Sequence, residues 1–318
     1  MSAAFAAPAR DIVIGIPTYR RPELLAALLD SLLTELQGRP ACVIVADNDC
    51  GSDAPRVVAA FQARWPDIVC IAVAARGVAQ VRNALVAEAH RLSPQWRWLL
   101  MLDDDGAVTP GWLNRVLDTG QRLDAHLVGG PVEGLLPASA NLFARNSIFS
   151  SRRRWPTGLV PTLNTTQNLA IARATLTLVP EPLFRNEYGA SGGEDYDLFR
   201  RVASARGRMA WCDEAVVLEP APADRLTVRS LLHRYATTGI YMVAIDRSYD
   251  GARQVWRQAV RGWLAACLRM LGAAVTFQSD KFARAVLAIA HYSGRLAGLL
   301  GWKTARYVSP ASTVKRSE

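Results

Sequence analysis

Two acidic clusters, a glycine-rich turn and a few arginines carry most of the chemistry this chain could do. The first cluster closes the run Trp98-Leu99-Leu100-Met101-Leu102-Asp103-Asp104-Asp105-Gly106. A short apolar run bounded by a turn signal reads as a buried strand. The three acids then stand at its carboxyl end, where an open α/β sheet presents its ligands. Adjacent carboxylates repel one another, and burial raises their pKa values. A hard divalent cation relieves both effects, taking one or two carboxylates and completing its shell with water and substrate phosphates. The spacing points to a metal–diphosphate site. The competing reading is a solvated acidic turn ahead of a helix capped by Thr109, with Pro110 as its first residue. The second cluster is Gly192-Gly193-Glu194-Asp195-Tyr196-Asp197-Leu198-Phe199-Arg200-Arg201. Acids in a first turn and arginines beyond it suit a helix dipole with no further role. In the functional reading Glu194 or Asp195 is a general base, and the glycines let a substrate hydroxyl come close enough to give up its proton.

The elements that must position these groups alternate. Apolar strands are predicted at 11–17, 41–46, 68–74 and 98–102, with helices at 23–36, 52–65 and 78–92 between them. Leu24, Leu25, Leu28, Leu29, Leu32, Leu33 and Leu36 give the first helix a 3.6-residue period. Strands apolar throughout, alternating with helices, imply a doubly wound, mainly parallel sheet with helices on both faces. Three strand ends then share one edge: Thr18-Tyr19-Arg20, Asp47-Asn48-Asp49 and Asp103-Asp104-Asp105. They can converge on one ligand in the crevice there. Neither a G-x-G-x-x-G fingerprint nor a P-loop occurs, so phosphate falls to metal and to arginines, with Arg20, Arg76 and Arg82 as candidates. Further strands are expected at 127–136, 167–172 and 207–218. The stretch 141–161, with Arg152-Arg153-Arg154, is irregular, and its role as lid, acceptor contact or plain loop stays open.

The 318 residues are half apolar, enough for a sizeable core. Five scattered cysteines without a C-x-x-C pair argue for a reducing compartment and against a disulfide frame or zinc site. Residues 1–10 hold no apolar run long enough for a signal peptide. From residue 251 onward there are eleven Lys or Arg and two Asp or Glu, so the whole net charge of +9 belongs to the C-terminal region.

In this order the motifs resemble a family 2 glycosyltransferase of the GT-A fold over about residues 12–239. The markers are Ile16-Pro17-Thr18-Tyr19-Arg20-Arg21-Pro22, Val45-Ala46-Asp47-Asn48-Asp49, Arg76-Gly77-Val78-Ala79-Gln80-Val81-Arg82-Asn83-Ala84, Leu102-Asp103-Asp104-Asp105 and the Gly192–Arg201 cluster. The stretch Glu219-Pro220-Ala221-Pro222-Ala223-Asp224-Arg225-Leu226-Thr227 is similar to the bacterial exopolysaccharide branch of succinoglycan type. The resemblance implies that Pro17, Tyr19 and Asp47 line a nucleobase pocket, with Thr18, Arg20, Gly77 and Asn83 in the same donor site. It implies Arg82 near the diphosphate, Asp104 near the ribose, Asp105 with Asp103 on Mg2+ or Mn2+, and Asp195 as base beside Glu194. The family inverts at the anomeric carbon by direct displacement. Two departures stand out. Ala46-Asp47 replaces a pair of acids found in many relatives. Pro220 follows Glu219, where some GT-A enzymes place a histidine ligand; His233, nearby in sequence, falls in a helical stretch.

Residues 227–242 and 252–301 are helical by pattern. Arg253, Arg257 and Arg261 repeat beside the apolar Val255, Trp256, Val260, Trp263, Cys267 and Leu271. No uncharged run reaches membrane-spanning length. A basic amphipathic helix with tryptophan fits either an anionic membrane surface or packing on the catalytic domain. The domain expectation is a nucleotide-sugar half at 1–110, an acceptor half at 111–226 and a basic helical extension at 227–318. The function expected is an inverting hexosyltransferase. It would move sugar from a nucleoside-diphosphate donor, UDP-glucose first, to a lipid-linked cell-surface saccharide, in the cytoplasm or on the inner face of the membrane. A nucleotidyltransferase is disfavoured because the loop at 17–22 lacks glycine. A non-catalytic scaffold would have no use for a base, and no recognition motif supports nucleic-acid binding.

Overall fold

The computed structural model describes residues 11–150 and 152–304. The stretch 1–10, expected to hold no leader, and the end of the 227–318 extension lie outside the described residues. The first half alternates as the sequence predicts: β1 (Ile12–Thr18), α1 (Pro22–Glu35), β2 (Ala41–Asp47), α2 (Asp53–Gln62), β3 (Ile68–Ala72), α3 (Val78–Leu92) and β4 (Trp98–Leu102). There follow β5 (Ala107–Val108), α4 (Trp112–Arg122), β6 (Leu127–Gly129), β7 (Val132–Leu135), α5 (Leu142–Arg145), β8 (Gly158–Val160), β9 (Asn168–Ala172), α6 (Thr175–Leu178), α7 (Glu194–Ser204), β10 (Met209–Trp211) and β11 (Val217–Pro220). Three long helices close the described chain: α8 (Val228–Asp250), α9 (Ala252–Val275) and α10 (Ser279–Leu299).

The main sheet has the order β3-β2-β1-β4-β9-β6-β10-β8. Strands β3, β2, β1 and β4 are parallel; β9 runs antiparallel between β4 and β6, and β8 antiparallel beside β10. Alternation along each strand divides the core. Ile12, Ile14, Ile16, Val43, Val45, Leu100 and Leu102 face α1, α2 and α4. Val13, Ile44, Leu99 and Met101 face α3 and α7, where Val81, Leu85, Leu198 and Phe199 meet them. Burial on both faces is why these strands read as continuous apolar runs.

The single strands expected at 127–136 and 207–218 are each two. The chain leaves the main sheet after Gly129 and again after Trp211, and β7 and β11 pair in a second sheet ordered β5-β11-β7. Buried Asn168 ties both exits together. Its amide donates to the carbonyls of Pro131 (2.9 Å) and Ala215 (2.7 Å), and its oxygen accepts from the Trp112 indole (2.9 Å). Thr109 does not cap α4. Its hydroxyl bonds the Val216 carbonyl at 2.9 Å, and the helix starts at Trp112, where the Glu35 carboxylate accepts from the N–H groups of Gly111 (2.7 Å) and Leu113 (3.2 Å). A carboxylate from α1 thus serves the helix N-terminus that the local sequence assigned to threonine. In the extension, α8 runs eight residues past the predicted end, and the predicted helix at 252–301 breaks at Phe277, whose φ is +53°. Helix α10 packs along α8, with Gly294 against the Ala236 backbone. Among the described residues no helix is long and apolar enough to cross a membrane.

Candidate active site

The parallel register sets the ends of β1 and β2 level, Thr18 opposite Asp47, with β4 on the other side of β1. The three expected strand ends therefore do share an edge. Strand β4 delivers its acids into three different environments. Asp104 is buried and accepts hydrogen bonds from the Thr18 hydroxyl (2.7 Å), the Tyr19 N–H (3.4 Å) and Arg21 Nη1 (3.1 Å). Burial nevertheless wins over Thr18 and Arg21, and the Asp104 carboxyl is pushed up to about 6. Asp105 is buried and accepts from the same Arg21 Nη1 at 2.8 Å. Burial and neighbouring Asp103 push it up, while Arg21 and Arg225 pull it down. Asp103 is partly exposed and pairs with Arg82 Nη2 at 3.3 Å.

The second cluster opens α7. Gly193 has φ +100°, and a Cβ there would lie 2.7 Å from the Tyr241 ring and 2.9 Å from Ile245. Only glycine suits that conformation and lets α8 approach so closely. Glu194 is buried and ion-paired with Arg82 Nη1. Its second oxygen, Oε2, has no hydrogen-bond partner among the described residues. Asp195 is partly exposed and accepts from the Tyr196 N–H at 2.7 Å. Burial raises both carboxyls against the pull of Arg82. The guanidinium of Arg82 is buried between Asp103 and Glu194. It joins the two acidic clusters, separate in sequence, into one centre.

Beside this centre lies an open cleft lined by Thr18, Arg20, Arg21, Asp47, Asp49 and Gly51 among others. Asp47 is buried, and its carboxylate accepts from the N–H groups of Asp49 (2.8 Å) and Gly51 (3.0 Å), which fixes the turn after β2. Arg20 pairs with Asp49 at 2.8 Å. The guanidiniums of Arg20 and Arg76 lie over the Tyr19 ring at 5.1 and 5.4 Å, and Pro17 pairs with Ala46 just before the turn. Gly77, φ +130°, lies against the Gly189 carbonyl, which accepts from the Val78 N–H at 3.2 Å; the loop before α3 thus touches the glycine-rich loop before α7. Asn83 does not join the cleft. Its amide donates to the Phe184 carbonyl (2.6 Å) and Asn186 (3.1 Å), and its oxygen accepts from the Phe184 N–H (3.0 Å), anchoring the segment that leads to α7.

Three charged residues near the centre were not singled out by sequence: Arg21, Arg225 and Glu219. Glu219 is buried at the end of β11, bonded to Arg152 Nη2 (3.1 Å) and Gln167 Nε2 (3.0 Å). Burial raises its carboxyl, as do Asp105 and Asp103 nearby, while Arg152 lowers it. The signal was present, since Val216-Val217-Leu218-Glu219 repeats the apolar-run-then-acid pattern of β4. The basic run at 152–154 is not an open patch: Arg152 binds Glu219, Arg154 binds Asp213 and Glu133, and Arg153 stacks on Trp155. His233 is exposed on α8.

The sequence profile of glycosyl transferase family 2 matches residues 13–170. The succinoglycan biosynthesis protein ExoM of Rhizobium meliloti is 32% identical over 300 residues, covering 92% of this chain and 94% of ExoM. The chain belongs to glycosyl transferase family 2. Solved structures bear out the GT-A fold. The mannosyltransferase PcManGT of Pyrobaculum calidifontis, in complex with GDP-Man and Mn2+, superposes with a TM-score of 0.56 at 15% identity over 91% of this chain and 88% of that one. Residues 1–349 of S. aureus TarS, in complex with UDP-GlcNAc, give 0.51 at 15% identity over 92% of each chain. Against the longer TarS structure the chain spans 55% of that chain's length, with a TM-score of 0.52 at 12% identity.

A divalent metal suits the donor atoms of this family 2 centre. Among the described residues no group of three or more His, Cys, Asp or Glu is arranged to hold a metal alone. Asp103 and Asp105 offer only hard oxygens. Both are ion-paired to guanidiniums, so the site already gathers cationic charge. Two carboxylates with the remaining positions left to water and phosphate is the coordination Mg2+ accepts.

Proposed function

We propose that this glycosyltransferase moves a hexose from a nucleoside-diphosphate sugar, with UDP-glucose the first donor to try, onto a hydroxyl of a growing exopolysaccharide, and inverts the anomeric centre. The observation that carries the reading is the partly exposed Asp195 beside buried Glu194, linked through Arg82 to the acids at the end of β4. In this reading the base of the donor enters the cleft at Pro17, Thr18, Tyr19, Arg20 and Asp47, and Asp104 faces the ribose. Asp105 and Asp103 would hold Mg2+ or Mn2+, which supplies positive charge to the departing diphosphate. Gly77 lets the loop before α3 lie close to the loop that leads into α7 and its base. Asp195 accepts the proton of the acceptor hydroxyl as that oxygen attacks the anomeric carbon and the bond to the diphosphate breaks. Arg82 keeps Glu194 and Asp103 in register with it. Residues 1–110 would hold the donor, 111–226 the acceptor, and 227–318 form the helical extension. The test is incubation with a panel of sugar nucleotides and saccharide acceptors, with the nucleotide product identified. Free nucleoside diphosphate supports the reading, pyrophosphate indicates a nucleotidyltransferase, and no turnover with bound nucleotide leaves a scaffold.

The acceptor in this reading is lipid-linked, and the enzyme acts at the inner face of the membrane, which it contacts through α9. The inner side of α9 is buried through Val255, Ala259, Ala266 and Ala273. The opposite side carries Trp256, Val260, Leu264, Leu268, Leu271 and Val275, continued by Phe277; Leu268 is 70% exposed and Phe277 94%. Arg253, Arg257 and Arg261 are exposed beside this stripe. Apolar side chains flanked by arginines complement an anionic bilayer surface. Flotation with phosphatidylglycerol vesicles should carry the wild type and not a variant with Leu268→Glu and Leu271→Glu. Equal recovery of the two overturns the membrane contact. Concentration-dependent dimers lost in the variant, without flotation of either, would assign the face to a second copy.

A further inference from the structure

We propose that Arg21 is an exchangeable counter-cation: it holds Asp104 and Asp105 while no divalent ion is bound, and releases them to the diphosphate-bearing donor and its metal. The inference rests on the donor-site reading above and concerns a residue that reading leaves without a role. Arginine usually meets a carboxylate with two parallel N–H groups. Here a single nitrogen, Nη1, bridges carboxylates of two consecutive residues, at 3.1 Å to Asp104 Oδ1 and 2.8 Å to Asp105 Oδ2. That is the placement of a point cation. Nε and Nη2 make no hydrogen bond among the described residues, and about a third of the side chain is exposed. Half the guanidinium fork is therefore free to engage phosphate oxygens.

A divalent ion on Asp105 and a guanidinium on the same carboxylate would be like charges within a few ångströms, so each weakens the hold of the other. The carboxylates keep their places without Arg21. Asp104 retains the Thr18 hydroxyl and the Tyr19 N–H, and Arg225 still faces Asp105. The Arg21 side chain already borders the cleft that holds Asp47 and Arg20. Its backbone is fixed at the start of α1, where the Arg21 carbonyl accepts from the Leu25 N–H at 3.0 Å, so the exchange needs only rotamer changes. The consequence is coupling. Metal alone competes with Arg21 for Asp105, whereas metal with a nucleoside diphosphate gives Arg21 a new anionic partner.

The test is Mn2+ affinity read by electron paramagnetic resonance of the free ion, with and without UDP or GDP, on the folded full chain. Arg21→Gln should bind Mn2+ alone about tenfold tighter than the wild type, within the usual range of site coupling. Nucleotide should then tighten Mn2+ binding much less in Arg21→Gln than in the wild type. Arg21→Lys, which keeps a point charge, should behave as the wild type. Arg21→Met serves as a second neutral variant if Arg21→Gln does not fold. Neutral variants that bind Mn2+ no tighter than the wild type, while nucleotide still promotes binding, overturn the role of Arg21 and leave the metal site standing. Absence of Mn2+ binding in every protein with either nucleotide overturns the metal reading and this proposal with it.

Discussion

Replacing Asp104 by asparagine should make the ligand-free protein more stable at neutral pH, by an amount that vanishes in acid. The Asp104 carboxyl is buried, and its value rises from the ordinary 3.8 to about 6. The folded chain therefore binds this proton more tightly than the unfolded chain. The associated stability is fully present below the unfolded value and is lost as pH rises through about 6. At about 1.4 kcal/mol per pKa unit, the wild type gives up about 3 kcal/mol at this position by pH 7. Asparagine still accepts from Thr18 and Tyr19 and carries no charge to desolvate. The pull of Arg21 on the ionised carboxylate is already contained in that net rise. The net is about 3 kcal/mol in favour of Asp104→Asn at pH 7 and falls towards zero below pH 4. For a chain of this size that is roughly 5 °C in Tm. The assay is thermal unfolding with EDTA from pH 4.5 to 7.5. An Asp104→Asn protein no more stable than the wild type at pH 7, or a difference that does not grow with pH, refutes the reasoning.

Two further outcomes follow from the same geometry. Asp195 and Glu194 are both raised by burial, and the base must be unprotonated to accept a proton, so kcat should fall on the acid side with a midpoint above the ordinary carboxylate range. A kcat flat down to pH 4.5 in folded enzyme contradicts this. Asp246 of α8 accepts from Tyr196 (2.6 Å), Arg200 (3.1 Å) and Arg295 (2.8 Å) and so clamps the first turns of α7. Asp246→Asn leaves Arg295 buried without its counter-charge. It should cost about 3 kcal/mol of stability and lower kcat with little change in donor KM, whereas unchanged kcat in folded protein would make the clamp merely structural.

Much of this molecule was readable from its sequence because its strands are buried on both faces. Apolar runs such as Val43-Ile44-Val45 and Leu99-Leu100-Met101 are short and bounded by turn residues, which favours buried strands, and the polar residues after them fall together once the strands are parallel. What the sequence left open was direction and partnership. Nothing in Asn168-Leu169-Ala170-Ile171-Ala172 says that β9 runs antiparallel between β4 and β6, since alternation along a strand is the same read either way. Residues 127–136 read as one strand, and Gly130-Pro131 is where the chain changes sheets. Arg82 read as a phosphate candidate because a guanidinium can bind phosphate oxygens bidentately, and nothing in its own stretch shows that it also pairs with Asp103 and Glu194. Arg21 and Glu219 were passed over because each sits among ordinary loop or strand-end residues. Only the folded chain brings their charges to the acids of β4.

The measurement that tests the central claim most directly compares wild type and Asp195→Asn for glucosyl transfer and for nucleotide binding, with the anomeric configuration of the product read by NMR. The proposed function predicts a β-linked product from an α-configured donor, transfer reduced by at least about a hundredfold in Asp195→Asn, and nucleotide affinity unchanged. Wild-type turnover in Asp195→Asn, or a product that keeps the donor's configuration, would contradict it.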